Sequence, residues 1–303
     1  MRAFRVPDRR WPSLRRAVGV RAPQPVGDVA QCAVHKNTNV PPSHAVALRT
    51  PDAVSVVADH WDPGHRQLCC VICHGFTGSA RHPRVNAISA HIAAAGTGVL
   101  ALDFRGHGRS GGHSTVGAAE IHDIAAAVAW ARSAGYRRVA ILGWSMGGSA
   151  ALRYAGLGGD ADAVVSVSSP GHWYERGTRV MRVVTWMCDT RSGRAVTRVV
   201  RRTRLLPGGW VEAPEAPVDV IAAIAPMPLL LVHGDADHYF PLAHVDELAA
   251  AAPHAAVWIE SGMGHAENAT TAPLLDRMLS WVRAAVDSST ARAAPICDDE
   301  RRA

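Results

Sequence analysis

A serine set between glycines is the first group in this chain that could do chemistry. Gly143-Trp144-Ser145-Met146-Gly147 follows the apolar run Val139–Leu142 and precedes a helical pattern starting at Met146. A side chain lifted above a strand-to-helix turn needs strained backbone angles, and flanking side chains would collide with neighbouring elements; glycines remove that collision. A serine hydroxyl is a weak nucleophile near neutrality and needs a base, which an acid must orient. The apolar run Pro228–Val232 leads into His233-Gly-Asp-Ala-Asp237, and Ala255–Ile259 leads into Ser261-Gly-Met-Gly-His265. Nucleophile, acid and base are therefore expected at Ser145, Asp237 and His265, each just past a strand end. Asp235, Asp103 and Glu267 compete as the acid. Asp237 is preferred because several residues of loop must lift a carboxylate over the sheet edge, whereas Asp235 sits where it could brace the turn.

Acyl transfer also needs donors for a developing oxyanion, each worth ~3–4 kcal/mol. The backbone N–H of Met146 is one candidate. The second is Phe76, in His74-Gly75-Phe76-Thr77-Gly78 after the run Leu68–Cys73, where His74 is expected to fix the loop. Two other patterns are set aside. Gly106-His107-Gly108-Arg109-Ser110-Gly111 matches a dinucleotide-binding spacing, but Ser110-Gly-Gly-His continues a loop and position 131 is Ala, so no acidic ribose partner follows. Cys69, Cys70 and Cys73 lie in an apolar run, and Cys73-His74 has no second ligand pair at finger-like spacing. Neither a metal nor an organic cofactor is expected.

The elements that must hold these residues alternate. Val46–Arg49 and Val54–Asp59 flank a Pro51-Asp52 turn and suggest an opening hairpin. Strand runs follow at Leu68–Cys73, Gly98–Leu102, Arg138–Leu142, Ala163–Val167, Pro228–Val232 and Ala255–Ile259. Helical patterns separate them at Val85–Ala95, Ala118–Ser133, Met146–Ala155, Leu242–Ala251 and Thr271–Val286. This predicts an α/β fold, a mostly parallel eight-stranded sheet with helices on both faces. The core is read as residues 44–169 and 218–287. Residues 170–217 break the alternation and suit a small helical lid after the sixth strand, whose Trp173, Tyr174 and Trp186, with Trp144 and Phe76, could line an acyl pocket. Residues 1–43 read as a basic, disordered arm and 288–303 as a flexible tail.

Taken together, His74-Gly75-Phe76, Asp103-Phe-Arg-Gly-His-Gly-Arg-Ser110, Gly143–Gly147, the Asp237 loop and His265 resemble the α/β-hydrolase superfamily. Within it they look most like the serine-dependent group that contains monoacylglycerol lipases and serine aminopeptidase-like hydrolases. The resemblance covers roughly residues 44–286. It implies the α/β-hydrolase fold with chain order Ser, Asp, His, and a structural role for the Asp103–Ser110 loop. Lipases of this group usually carry His where this chain has Trp144, and the lid here is compact and basic.

Charge is unevenly spread. Residues 1–21 carry seven Arg against one Asp, and residues 172–206 nine Arg against two acids, so the rest of this +6 chain is net negative. Within 176–206, Val180, Val183, Val184 and Met187, then Val196, Val199 and Val200, recur at helical spacing among the arginines. Such a lid could cover the pocket with its apolar face, or dock on anionic lipid. No apolar run reaches the length of a membrane helix or a secretory signal, so a cytoplasmic protein is expected, with no nucleic-acid partner. The expected function is hydrolysis of carboxylic esters, of small to medium acyl groups or lipid-like substrates. The alternatives are the same triad acting on a thioester, amide or carbon–carbon bond, and a non-catalytic binding protein on a hydrolase scaffold.

Overall fold

Runs rich in Val, Ile, Leu, Ala and Cys become the central strands of one sheet, buried on both faces. A computed structural model describes residues 40–173 and 177–293, with side chains given through residue 288. The strands are β1 (Ser43–Arg49), β2 (Ser55–Trp61), β3 (Leu68–Cys73), β4 (Gly98–Asp103), β5 (Arg138–Trp144), β6 (Ala163–Val167), β7 (Leu229–Gly234) and β8 (Ala256–Glu260). Their order in the sheet is β1-β2-β4-β3-β5-β6-β7-β8. β1 pairs antiparallel with β2 and β2 antiparallel with β4, and every later pairing is parallel. β3, β4, β6 and β7 are buried along their whole length, as strands covered on both faces must be. At the edge, β8 alternates half-buried and exposed residues.

Helices α1 (Pro83–Ala94) and α9 (Ala272–Ala293) cover one face; α2 (Glu120–Ser133), α3 (Met146–Gly156) and α7 (Ala243–Ala251) cover the other. Between β6 and β7 the chain forms α4 (Arg179–Asp189) and α5 (Arg191–Val200), then the single turn α6 (Pro217–Val220) and a 3-10 turn, Ile221–Ile224. A further single turn, α8 (Ala266–Ala269), follows His265. No described helix is long and apolar enough to cross a membrane.

The sequence reading departs from the structure at three edges. β2 continues to Trp61, because Trp61 pairs with both Ser43 and Val99 and closes the ladder there. β1 accordingly starts at Ser43, the last residue read as arm; residues 1–39 lie outside the described part. α9 runs to Ala293, past the start of the expected tail, although Ser288–Arg292 lacks apolar periodicity.

Candidate active site

The turn from β5 into α3 is where local sequence and strain meet. Ser145 has φ 51° and ψ −118°, outside the regions an L-residue ordinarily occupies. It is held there from both sides. Its N–H donates to Val167 O at 2.9 Å, and its carbonyl accepts from Ser149 N–H at 3.0 Å and from Ser169 Oγ at 3.2 Å. The flanking glycines are required by contact. A Cβ on Gly143 would lie 2.5 Å from Gly147 O, and one on Gly147 would lie 2.2 Å from Cys73 O. Below Ser145, Ser166 Oγ donates to Ser169 Oγ at 2.7 Å, so the strained residue rests on a satisfied polar floor.

Three chain-distant loops bring their side chains into one line. His265 Nε2 is 3.1 Å from Ser145 Oγ, and His265 Nδ1 is 2.7 Å from Asp237 Oδ2. The other carboxylate oxygen, Oδ1, accepts from the N–H groups of Tyr239 at 2.8 Å and Phe240 at 3.1 Å. Burial opposes ionisation of Asp237, but the His265 hydrogen bond and these two amides outweigh it and hold the carboxyl below its ordinary range. An ionised Asp237 accepts from Nδ1–H, which leaves Nε2 with its lone pair toward the serine hydroxyl. Tyr239 stacks on the His265 ring with centroids 4.0 Å apart, and Phe240 meets it edge-on at 5.5 Å. The loop carrying His265 is pinned where Ala266 N–H donates to Ser168 Oγ at 3.1 Å.

The competing carboxylates go elsewhere. Asp235 accepts from Gly262 N–H at 2.6 Å and braces the turn after β8. Asp103 accepts from Ala80 N–H at 2.7 Å and from Arg109 Nε at 2.7 Å. With Arg109 also on Asp59, and Arg105 on Asp52 and Asp123, it fixes the Asp103–Ser110 loop to the opening hairpin. The glycine pattern in that loop is filled by protein: Arg204 N–H donates to Gly106 O, and Ser110 Oγ donates to Asp103 O.

Phe76 and Met146 line the same cavity as Ser145. Neither backbone N–H has an acceptor among the described residues. Met146 opens α3, so its N–H also carries the positive end of that helix dipole. His74 sits beneath as a neutral brace: Nδ1–H donates to Gly75 O at 2.8 Å, and Nε2 accepts from Phe104 N–H at 3.1 Å. Burial, then the neighbouring His107, pushes His74 down to about 3, and burial pushes His107 down to about 4. Sequence reasoning weighed Glu267 only as a rival acid. Its carboxylate instead accepts from Gly75 N–H across 192 residues of chain and lines the cavity next to the serine. Nothing local announces that contact. The aromatic clamp on His265 was foreshadowed by Tyr239-Phe240 two and three residues after Asp237, the reach of an Asx turn.

A cavity of about 560 Å³ opens over Ser145, between the sheet's carboxyl edge and the β6–β7 insertion. Phe76, Val116, Met146, Trp173, Met181, Val184, Met187 and Leu205 give it a largely apolar wall. Trp173 is fixed there by Nε1–H donating to Pro214 O at 2.8 Å. Two of the expected pocket residues need correction. Trp144 is fully buried on the opposite side of the sheet, in the core with Ala140 and Leu142, and its Nε1–H donates to Thr270 Oγ1 at 3.0 Å. The period of two along β5 sends 140, 142 and 144 to that side. Trp186 points outward; the helical period brings Met181, Val184, Thr185 and Cys188 to the cavity and leaves Val183 and Trp186 on the far face of α4. Tyr174 lies outside the described residues. Arg204, counted among the lid's basic residues, is used structurally, with its guanidinium donating to Gly112 O and Ser110 O.

Residues 64–207 match the family model described as serine aminopeptidase, S33. A comparison with curated protein sequences finds no match. Among solved structures, an esterase of Pyrococcus furiosus, Pf2001, is 21% identical with a TM-score of 0.64, covering 88% of this chain and 96% of its own. The α/β hydrolase GrgF of Penicillium sp. sh18 is 16% identical with a TM-score of 0.65, covering 81% and 99%. At these identities the structural likeness speaks for the fold, and the family model adds the sequence signature around the strained serine. The chain therefore has the α/β-hydrolase fold, and its residues 64–207 are similar to the serine aminopeptidase family.

Proposed function

We propose that the chain hydrolyses carboxylic esters through a covalent acyl-enzyme on Ser145. The observation that carries this reading is the serine held at a strained φ of 51° at the floor of an apolar cavity, within 3.1 Å of a histidine that is itself bound to a buried carboxylate. His265 Nε2 takes the hydroxyl proton as Oγ bonds to the ester carbonyl carbon. The negative charge that develops on the carbonyl oxygen is met by the N–H groups of Phe76 and Met146, donors already fixed in place. His265 then gives its proton to the departing alcohol oxygen as the carbon–oxygen bond breaks. Water enters, His265 removes its proton, and the resulting hydroxyl attacks the acyl carbon. Release of the acid returns the proton to Ser145. Asp237 stays ionised throughout and steadies the imidazolium.

The wall of the cavity argues for an apolar acyl group. Each methylene moved from water into such a wall contributes ~0.8 kcal/mol, so kcat/KM for p-nitrophenyl esters is expected to rise about threefold or fourfold per added methylene until the cavity is filled, then fall. A flat profile from acetate to decanoate would remove the apolar acyl site from this reading. A fluorophosphonate probe tests the covalent step separately: it is expected to label the native chain and not Ser145→Ala. An unlabelled native chain would leave a binding protein on a hydrolase scaffold.

A further inference from the structure

Besides the apolar residues that line the cavity, the β6–β7 insertion turns a second set outward. On α5 the residues facing inward are Gly193 and Thr197; a Cβ on Gly193 would lie 2.1 Å from the Trp186 carbonyl of α4. The valines of α5 face solvent instead, Val199 at 78% exposure and Val200 at 68%. Of the ten large apolar side chains exposed among the described residues, seven fall between residues 183 and 211. They are therefore concentrated on this insertion, and an apolar surface gathered in this way marks a place where something binds.

α5 carries Arg191 and Arg198, and Arg202 follows it; all three are exposed and, among the described residues, without a carboxylate partner. An occupant must satisfy both properties, exposed aliphatic surface and unpaired positive charge. A second copy of this chain would set arginines against arginines. The segment 1–21 is itself net positive, so it lacks the complementary charge an occupant needs. A nucleic-acid backbone would pair with the arginines but has no use for Val183, Val196 and Val199. A bilayer with anionic headgroups satisfies both, because valines enter the headgroup–acyl boundary while arginines remain at the phosphate level. We propose that α4 and α5 dock this protein on an anionic lipid surface. Val200 and Leu206 belong both to this exposed surface and to the cavity lining, so docking brings the cavity mouth against the lipid. The proposal does not rest on the esterase reading, since binding is read without turnover.

The test is co-sedimentation of the full-length chain with phosphatidylcholine vesicles and with mixed phosphatidylcholine–phosphatidylglycerol vesicles. Binding is expected only to the mixed vesicles and is expected to weaken sharply as salt passes ~0.1 M, where charge attraction decays over ~10 Å. Changing Arg191, Arg198 and Arg202 together to Gln is expected to lower the partition coefficient on the order of a hundredfold. The pair Val196→Glu and Val199→Glu is expected to abolish binding. None of these five side chains lines the cavity, and an unchanged thermal unfolding transition is the check that the variants fold. Three results would overturn the proposal: no binding to mixed vesicles at low salt; binding unchanged by both variants, which would point to the arginines of residues 1–21; or loss with the arginine variant only, which would mean charge attraction without insertion. The first of these, found together with a concentration-dependent dimer that Val199→Glu breaks, would replace lipid docking by self-association.

Discussion

Ser145→Ala is expected to lower kcat on an ester by on the order of 10⁴–10⁶ with little change in stability. The same loss is expected for His265→Ala, and the double variant is not expected to be worse. Oγ and Nε2 serve one proton transfer, so once either is missing the other has nothing left to do. Asp237→Asn is expected to cost about 10⁴, because an amide that offers N–H to the ring favours the wrong imidazole tautomer. Asp235→Asn is the internal control. Its carboxylate meets Gly262 N–H and not the histidine, so most activity is expected to remain. Steady-state kinetics on the four variants separates the two carboxylates. A crippled Asp235→Asn beside an active Asp237→Asn would refute the assignment of the acid. The sign of the pH effect follows from the same geometry. Asp237 is held below the ordinary carboxylate range, so it remains ionised at the pH at which imidazoles in general take up a proton. kcat/KM is then expected to fall on acidification because imidazolium cannot accept the serine proton, and to recover as pH rises.

What the sequence made legible here were features whose cause is local. The parallel strands are apolar runs bounded by polar turns, and the elbow is a short pattern whose glycines answer contacts within a few residues, apart from the Cys73 carbonyl at the end of β3. The order of the Ser145, Asp237 and His265 loops along the chain also carries their meeting at one edge, because each follows a parallel strand and such strands end on the same side. The side of the sheet that Trp144 faces was legible too, had the period of two been followed from Ala140 through Leu142. Composition drew attention to the tryptophan, but strand phase decides where it points.

The cavity wall is a different case. Which residues of α4 look inward depends on the helix's rotation about its own axis, and that is set by where Gly193 lets α5 close on the Trp186 carbonyl. Reading Val183, Val184 and Met187 as one apolar face missed that rotation, which divides them between cavity and solvent. Glu267 is the extreme example. Its partner Gly75 lies in another loop 192 residues earlier, and no spacing rule joins them. That carboxylate fixes the loop carrying the Phe76 N–H, so the geometry of the proposed oxyanion donors depends on a contact the chain order does not announce.

Gly147→Ala is expected to lower kcat by on the order of 10² and to destabilise the fold, although Gly147 reacts with nothing. On helix propensity alone the change would favour α3 by ~1 kcal/mol. Contact reverses the sign. The new Cβ would lie 2.2 Å from Cys73 O and 2.6 Å from His74 O, closer than carbon and oxygen approach without displacement. The obstacle cannot give way, because Cys73 ends β3, a central strand hydrogen-bonded to β4 on one side and β5 on the other. The elbow must move instead, at ~1–3 kcal/mol for overpacking. Shifting Ser145 by about 1 Å relative to Nε2 and the oxyanion donors costs on the order of 10² in rate. Gly264→Ala, one residue before His265, makes the comparison. Its Cβ would meet only Ala269 Cβ at 3.7 Å, an ordinary contact, so most activity and stability are expected to survive. Thermal unfolding measured beside kcat distinguishes the two glycines. An active, fully stable Gly147→Ala would show that the elbow tolerates a side chain against the Cys73 carbonyl, and the steric account of this turn would then be wrong.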